Sequence, residues 1–449
     1  MPEAFSIPNE IIYMAIDLGN PVRTTQIPQA PRKFYFLEYF YILLKGVSIS
    51  NQSERIFEQF LKLKHQYRLG ESKYKKLTEE SNESTNQRAR YKYTFDQVVS
   101  EATNYELISE SSGEILLTDE GKNAIQIYEN DGDRKFNYYL FKLMEKGHQE
   151  PFRYLVDTCY KVNYKKSGLL IFPIYSAHRL GIERDSIKTS KDMKRYFRKL
   201  QSRIKEDISK HLGMNVNLDK ENNDLIRKLT EENLLQTDDL QEFDPNKYNA
   251  ILRRSRDFWL KYFLQSLYKY QLSLDSFEIW AYRAKQIGLL HITEFYPDPS
   301  FHGKIAYPLS VIRDSSQSTS FKMFYEYADS MKLYCHQPSW DDKNNQEEFV
   351  QSLHQAYVDV RQLAKTYFVS LPNVKERACY AMKIPEYLFD KFLGYAYHNK
   401  HLRIRISLEV DKLPDETKVM YLRREPVMVD GKYRNIIAID LAHGEKNVY

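Results

Sequence analysis

The sequence predicts a mainly α-helical protein with small antiparallel β-hairpins, an α+β chain built from tandem winged helix-turn-helix domains. Apolar residues recur at helical spacing along most of the chain. Near the C-terminus and near residue 100, helices are followed by a strand, a turn and a returning strand, which is the order of a winged helix. The 449 residues exceed what one core usually supports, so we expect several domains.

The clearest helix-turn-helix pattern lies near the C-terminus. Asn373 is predicted to cap a first helix, with Glu376 as its capping-box partner three residues on. Pro385 then opens a second helix. One face of that second helix is apolar by its spacing: Leu388, Phe389, Phe392, Leu393 and Ala396. Its other face offers Lys391, Tyr395 and His398, which we expect to read a DNA major groove. Lys383 and Lys400 lie at the two ends of the helix, where we expect them to contact flanking phosphates.

A predicted wing follows this helix. Residues Leu402 to Val410 alternate between apolar and polar, as in a half-buried strand, with Arg403 and Arg405 on the polar side. A later hairpin turns at Asp430-Gly431 and is predicted to be completed by the strand Ile436 to Ile439. The two arginines should therefore reach the DNA backbone or the minor groove.

A second winged unit is predicted around residue 100. Its helix is indicated by the spacing of Phe95, Val98, Val99 and Ala102. The hairpin turn is predicted at Ser111-Ser112-Gly113, and Thr118 is predicted to cap the following helix. The polar residues from Gly70 to Arg90 before it are predicted to form a loop or an insertion. DNA contact and a purely packing role both remain open for this unit.

The segment Lys188 to His211 combines an apolar stripe with many cations. A solvated helix face is the usual origin of such a run, but few acidic residues precede Glu206 here. We therefore expect this helix to face phosphates. The cations assigned to that contact are Lys191, Lys194, Arg195 and Arg198.

Composition shifts suggest six segments. They are an N-terminal arm (1–31), a first winged-helix domain (32–149), a basic helical or winged subdomain (150–213), an acidic linker (214–244), a helical domain whose hairpin again resembles a winged unit (245–340), and the C-terminal winged helix-turn-helix (341–449).

Bulk composition narrows the protein class. The net charge of +5 is mildly basic, which permits a nucleic-acid partner without requiring one. The three cysteines form no CxxC pair, which disfavours a disulfide framework or a structural zinc site. The sequence has no signal peptide and no apolar run long enough to span a bilayer, so we expect a cytoplasmic protein without a membrane partner.

No catalytic residue, metal ligand or cofactor is assigned from the sequence. Asp411, Glu416 and Lys418 have the residue types of a metal-dependent nuclease, but their short spacing favours exposed turn charges. Two further sets lack the partners that a metal site needs, namely Cys335-His336 and His398 with His401. No GxxxxGK[ST] run is present, which argues against a P-loop ATPase.

The stretch from about Tyr93 to Gly181 resembles the DNA-recognition half of type IIS restriction endonucleases. The residues that carry the resemblance are the Leu107/Ile108 strand, Gly113, Leu117-Thr118-Asp119 and Gly121. The resemblance implies consecutive winged-helix subdomains that wrap duplex DNA, with the nuclease in a separate domain. This sequence shows no such nuclease domain, so cleavage would come from a partner or from a diverged core.

The sequence thus predicts a protein that recognises duplex DNA, as the recognition component of a prokaryotic restriction or phage-defence system with a nuclease or ATPase partner. Three alternatives stay open. They are a winged-helix adaptor subunit of a DNA-organising ATPase complex, a plasmid replication or transcription protein, and a nuclease with a diverged core.

Overall fold

The structure, a computed structural model, describes residues 27–67, 85–162, 170–173, 175, 180, 182–293, 303–313, 323–327, 333–410 and 427–441. These residues fall into two compact units, the first ending at Leu290 and the second beginning at His291. Helices predominate and the sheets have two or three strands, which confirms the predicted α+β class. Within the described residues no helix is both long and apolar enough to cross a membrane.

The first unit contains ten α-helices and three short strands among its described residues. The helices are α1 (Glu38–Ile49), α2 (Ser53–Gln66), α3 (Thr85–Asn104), α4 (Asp119–Asp131), α5 (Asp133–Gly147), α6 (Pro151–Val162), α7 (Ser190–Asp207), α8 (Asp219–Glu231), α9 (Tyr248–Lys261) and α10 (Leu274–Ile287). The strands are β1 (Ile108–Ser111), β2 (Glu114–Leu117) and β3 (Leu170–Pro173).

Helices α1 and α3 pack against the β1–β2 hairpin, and α2 packs against both helices. The short link between α1 and α2 lies along β2, because the Ile115 amide donates to the Asn51 carbonyl at 2.9 Å. The predicted cap at Thr118 is confirmed, since its hydroxyl accepts a hydrogen bond from the Gly121 amide at 3.0 Å. Gly121 is required here, because a Cβ on it would lie 2.1 Å from the carbonyl oxygen of Leu107.

Helix α3 begins earlier than predicted. Residues 85–90 belong to the helix, although their polar composition favours a loop. Salt bridges to the neighbouring α2 stabilise this first part, since Arg88 pairs with Glu58 and Lys92 lies 3.9 Å from Glu54. The polar side chains therefore join two helices, which residue-by-residue composition does not show.

A buried ion pair lies at the centre of the first unit. Arg283 of α10 and Glu101 of α3 are both fully buried and joined by two hydrogen bonds of 2.6 and 2.9 Å. The Tyr105 hydroxyl donates to Glu101 at 2.6 Å, and His148 Nε2 lies 3.3 Å from the same carboxylate. These bonds offset the large cost of taking both charges out of water.

The segment 214–244, predicted to be an acidic linker, contains the packed helix α8. Leu225 and Leu229 of this helix are almost fully buried. Its first residue, Asp219, accepts a hydrogen bond of 2.7 Å from Gln201 of α7. The many acidic residues of this segment favour a linker, whereas the spacing of its buried leucines is that of an amphipathic helix.

The second unit contains three helices and ten strands among its described residues. The helices are α11 (Lys343–Ala364), α12 (Leu371–Met382) and α13 (Glu386–His398). The strands are β4 (Leu290–Thr293), β5 (Gly303–Pro308), β6 (Ser310–Arg313), β7 (Met323–Tyr327), β8 (Leu333–His336), β9 (Val369–Ser370), β10 (Ile404–Glu409), β11 (Val427–Val429), β12 (Lys432–Arg434) and β13 (Ile436–Leu441), with β4 beginning at the boundary.

Two short strands, β7 and β8, lie between β6 and α11. Strand β7 pairs in parallel with β6 and antiparallel with β8. The parallel pair is a departure from the predicted antiparallel hairpins. The short, mixed sequences of these strands carry no alternation that would identify them.

The C-terminal sheet has the order β10–β13–β9, and all of its pairs are antiparallel. The predicted hairpin turn at Asp430-Gly431 joins β11 to β12 and is confirmed. The prediction that Ile436 to Ile439 completes that hairpin is wrong, because β13 pairs with β10 and β9 instead. The sheet and the three helices enclose one apolar core that includes Phe349, Leu353, Val374, Phe389, Phe392, Ile404 and Ile437.

The predicted cap at Asn373 is also wrong. Helix α12 begins at Leu371, with Ser370 of β9 at the cap position and Pro372 in the first turn. The Leu371 amide donates to the Asn435 carbonyl at 2.9 Å. A backbone bond beside the sheet therefore satisfies the first helical amide, which no side chain needs to cap.

Candidate functional site

The outward face of α13 is the first candidate surface. Its five predicted apolar residues are all buried in the C-terminal core. Lys391, Tyr395 and His398 are exposed, as the helical spacing predicted. Lys391 forms no salt bridge within the described part of the chain, so its ammonium group is available to an anionic ligand.

Neighbouring side chains order this face. The Tyr395 ring, 42% exposed, lies with its centroid 5.7 Å from that of Trp340, and the Lys391 Nζ lies 5.8 Å from the Tyr395 centroid. His398 Nε2 lies 2.6 Å from a carboxylate oxygen of Asp430 in the β11–β12 turn. Tyr395 and His398 are thus held by other elements, and a ligand would meet a surface that is partly fixed.

The basic surface continues from α13 into the next strand. Lys400 is exposed just after the helix, and Arg403 and Arg405 are exposed on either side of the buried Ile404. This alternation places the two guanidinium groups on the face of β10 opposite the core. The structure therefore keeps four of the predicted cations of this unit exposed: Lys391, Lys400, Arg403 and Arg405.

Lys383 is placed differently from the expectation. Its backbone is left-handed, with φ of 55°, at the C-terminal end of α12. The Nζ atom lies 3.4 Å from the Tyr380 ring centroid and 4.8 Å from that of Tyr307. This lysine packs over two aromatic rings as a cation–π pair, so we no longer assign it to a phosphate.

Helix α7 carries the second candidate surface, in the first unit. Its N-terminus has a capping box, in which Asp192 Oδ2 accepts from the Thr189 amide at 2.9 Å and Thr189 Oγ1 accepts from the Asp192 amide at 3.3 Å. The apolar stripe of α7 is buried and its opposite side is exposed and basic. We call the four exposed cations of that side the α7 stripe: Lys191, Arg195, Arg198 and Lys199.

Lys194 does not belong to the α7 stripe. Its Nζ lies 2.5 Å from Asp239 Oδ1 and donates to the Thr237 carbonyl at 3.3 Å. The hydrogen bond from Lys194 lowers the pKa of Asp239, as do the charges of Lys194, Lys191 and Arg198. Lys194 therefore joins α7 to the segment after α8, and its charge is already compensated.

A groove in the first unit is acidic. It lies between α3, the start of α2 and the β1–β2 hairpin, with a volume of about 520 Å³. Asp96, Glu110 and Glu114 are among its lining residues, which include no Lys or Arg. Of the two roles left open for this unit, DNA contact through this groove is disfavoured, because the groove would repel phosphates.

A third feature is a cluster of one histidine and two glutamates in the second unit. His291 of β4 is buried, and its Nε2 lies 3.2 Å from Glu376 Oε2 of α12. Its Nδ1 lies 3.4 Å from Glu386 Oε1, in the first turn of α13. One ligand atom from each of the three residues lies within 4.8 Å of the others, so one metal ion could contact all three.

Polar groups around this cluster orient both carboxylates. Thr293 Oγ1 donates to Glu376 Oε1 at 3.0 Å. The Lys375 Nζ lies 3.4 Å from Glu386 Oε2 and 2.7 Å from Asp390 Oδ1. Burial would lower the pKa of Lys375, but the charges of Glu386 and Asp390 outweigh it and raise that pKa.

The sequence did not identify this cluster. Glu376 was interpreted as a helix-capping residue, and 85 positions separate it from His291. The only local signal is a histidine inside the apolar strand Leu290–Thr293. Such a histidine is usually a core residue, and only the fold brings the carboxylates to it.

The other candidates from the sequence do not form a site in the described structure. Asp411, Glu416 and Lys418 lie outside the described residues. Cys335 and His336 lie in β8, and His401 is exposed after α13. His398 contacts Asp430, as described above, and the described residues place no second histidine on that pair.

Comparisons with protein-family models, with curated protein sequences and with solved structures find no match to this chain.

Proposed function

We propose that this chain binds duplex DNA, and that a winged helix-turn-helix in its second unit does so with α13 in the major groove. One observation carries the proposal. The order α11, β9, α12, α13, β10, β13, with the sheet order β10–β13–β9, agrees with the order of elements expected of a winged helix and supports that assignment. In that fold the third helix enters the major groove, which is about 12 Å wide and admits one α-helix.

The charge of the surface supports the same conclusion. Lys391 and Tyr395 lie on the outward face of α13, where base edges would be met. Lys400, Arg403 and Arg405 follow on exposed positions, suited to phosphates on either side of the groove. His398, held by Asp430, would fix the register between α13 and the β11–β12 turn.

The first unit has a related order of elements but a different surface. Helices α1 to α3 and the β1–β2 hairpin follow one another as in a winged helix, and a backbone bridge joins Gln52 to Glu114. Since its groove is acidic, we propose that this unit contributes to DNA binding through the α7 stripe and not through α3.

A second candidate function is that of an adaptor that binds another protein. The acidic groove favours it, because three carboxylates around a 520 Å³ groove suit a basic peptide segment. The two functions differ at the α7 stripe and on α13, where an adaptor needs no cations. We retain recognition within a restriction or phage-defence system as the proposed setting, because it follows from the resemblance of residues 93–181 to type IIS recognition domains.

Fluorescence anisotropy with labelled duplex DNA, single-stranded DNA and RNA tests the proposal. Because cations that neutralise phosphates release counterions, the affinity for duplex should fall steeply as salt rises. We expect duplex DNA to bind most tightly at each salt concentration. Absence of binding at low salt, or an affinity that does not change with salt, would contradict the proposal and favour the adaptor.

A further inference from the structure

The His291 cluster presents a chemical problem that the protein side chains alone do not solve. Both ring nitrogens of His291 face a carboxylate oxygen, at 3.2 and 3.4 Å. A neutral imidazole has one N–H and one lone pair, so it can donate to only one of the two glutamates. The other glutamate then faces a lone pair, and two electron-rich atoms are held together in a mostly buried place.

The surrounding charges make this problem larger. Glu376 and Glu386 place two carboxylates on His291, and the Lys375 ammonium contacts Glu386 and Asp390. His291 is only 2% exposed, whereas the side chains of Glu376 and Glu386 are 16% and 42% exposed. A bound divalent cation would offset the repulsion between a carboxylate and the imidazole lone pair.

The carboxylates are also arranged as metal ligands usually are. Each keeps one oxygen towards His291 and gives the other to a separate donor, Thr293 for Glu376 and Lys375 for Glu386. Outer partners of this kind fix the orientation of ligating groups in metal sites. Lys375 thus contacts the outer oxygen of Glu386, and the inner oxygen is the one that faces His291.

A fully buried tyrosine packs against His291 and supplies a second, independent observation. The ring of Tyr307 lies 5.2 Å from that of His291, and its hydroxyl has no hydrogen-bond partner among the described residues. The charges of Glu376 and Glu386 both act on this hydroxyl. Unpaired buried hydroxyls are costly, and a water bound to a cation would provide a partner.

We propose that His291, Glu376 and Glu386 bind one first-row divalent cation, either Zn²⁺ or Mn²⁺. One imidazole nitrogen and two carboxylate oxygens suit these ions, and three protein ligands leave a position for water. Glu386 is partly exposed, so the open position has access to solvent. The ion would join β4, α12 and the first turn of α13, which brings it close to the helix that we propose to enter DNA.

The test uses the full-length protein and the metal ions alone. Calorimetric titration with Zn²⁺ and electron paramagnetic resonance titration with Mn²⁺ each give the stoichiometry and the affinity. The variants are His291→Gln and Glu386→Gln, with Asp390→Asn as the matched control. Asp390 lies one turn from Glu386 on α13 and also contacts Lys375, but it is not in the ligand set. Circular dichroism establishes that each variant is folded.

We expect one ion per chain for at least one of the two metals. Loss of a ligand should weaken binding by about tenfold or more, as even outer-partner changes do in metal sites. Asp390→Asn should change the affinity by much less. Because Glu386 is partly exposed, Glu386→Gln keeps the test informative if His291→Gln does not fold.

Three results would overturn the proposal. They are no stoichiometric binding of either ion, equal losses for Glu386→Gln and Asp390→Asn, and affinities unchanged by both ligand substitutions. The first result would assign the cluster to an imidazolium held between two carboxylates, and the second to non-specific attraction of cations. None of these outcomes depends on DNA binding, so the two proposals can fail separately.

Discussion

Removal of the charge of Glu101 should destabilise the first unit strongly. Glu101→Gln preserves the size of the side chain but leaves Arg283 without its counter-ion in a place that is 0% exposed. The remaining acceptors of the guanidinium group are the uncharged amide oxygen of the new glutamine, the backbone oxygens of Arg32 and Phe34, each at 3.3 Å, and the sulfur of Met144 at 3.7 Å. These dipoles cannot replace a full charge that made two short hydrogen bonds.

Two independent arguments give the magnitude. Breaking a buried ion pair by removal of one partner typically costs about 3–5 kcal/mol. Burial by itself would raise the pKa of Glu101, but the charge of Arg283 and hydrogen bonds from His148, Arg283 and Tyr105 outweigh it and lower the pKa from 4.5 to about 2. By linkage, that depression corresponds to about 3 kcal/mol of stability at neutral pH.

The pH dependence follows from the sign of this shift. A carboxyl whose pKa is lower in the folded state contributes its full stability above the unfolded pKa of about 4.3. That contribution is lost as the pH falls through the folded pKa of about 2. The wild-type protein should therefore lose more stability than Glu101→Gln does between pH 5 and pH 2, which are about the limits of this transition.

Urea denaturation followed by circular dichroism measures both effects. The matched control is Glu58→Gln, which removes the carboxylate of the exposed pair with Arg88 and should cost less than about 1 kcal/mol. If Glu101→Gln lowers the free energy of unfolding by less than about 1 kcal/mol, the argument is refuted, because a buried charge without its partner should destabilise the protein by more than that. A similar acid sensitivity of the wild type and Glu101→Gln would also refute it.

Three further predictions follow from the packing and the charges. Gly121→Ala should destabilise the protein by about 1–3 kcal/mol, because the new Cβ would lie 2.1 Å from the Leu107 carbonyl oxygen. Gly394→Ala should stabilise α13 by up to about 1 kcal/mol, because nothing lies within 4 Å of the new Cβ. Thermal denaturation compares the two variants. Replacing the α7 stripe by alanines should reduce the slope of the logarithm of the duplex-binding constant against the logarithm of the salt concentration by about 3–4, since each phosphate contact contributes about 0.9. An unchanged slope would exclude this helix from the interface. Lys383→Ala should leave the DNA salt slope unchanged while lowering thermal stability, because its ammonium lies over the Tyr380 ring; a reduced slope would restore its assignment to a phosphate.

Where apolar periodicity is strong, the sequence predicted the fold well. The buried and exposed faces of α13 agree residue by residue with its helical spacing, and the cap at Thr118 agrees with its hydrogen bond. The cap depends on a bond between residues three positions apart, and the two faces of the helix follow from the spacing of its apolar residues. The turn at Asp430-Gly431 is likewise confirmed.

Long-range contacts account for the errors. Asn373 fails as a cap because β9 brings the Leu371 amide to Asn435, 64 residues away. Lys383 is a suitable phosphate ligand by sequence alone, but its ammonium group packs over the nearby Tyr380 ring and over Tyr307, 76 residues earlier in the chain. The metal-like cluster escaped prediction for the same reason, since β4, α12 and α13 meet only in the folded chain.

The central claim, that α13 reads DNA, is tested most directly by selection of binding sites from a random duplex library. Lys391→Ala and Tyr395→Ala should each change the preferred base at particular positions, at a cost of roughly 1–3 kcal/mol if they touch base edges. The double variant Arg403→Ala/Arg405→Ala should weaken all sequences alike, because phosphate contacts carry no sequence information. Two exposed cations of the first unit supply the controls, Lys122→Ala and Arg227→Ala. If all four substitutions leave both affinity and sequence preference unchanged in folded protein, α13 does not read DNA and the account is contradicted.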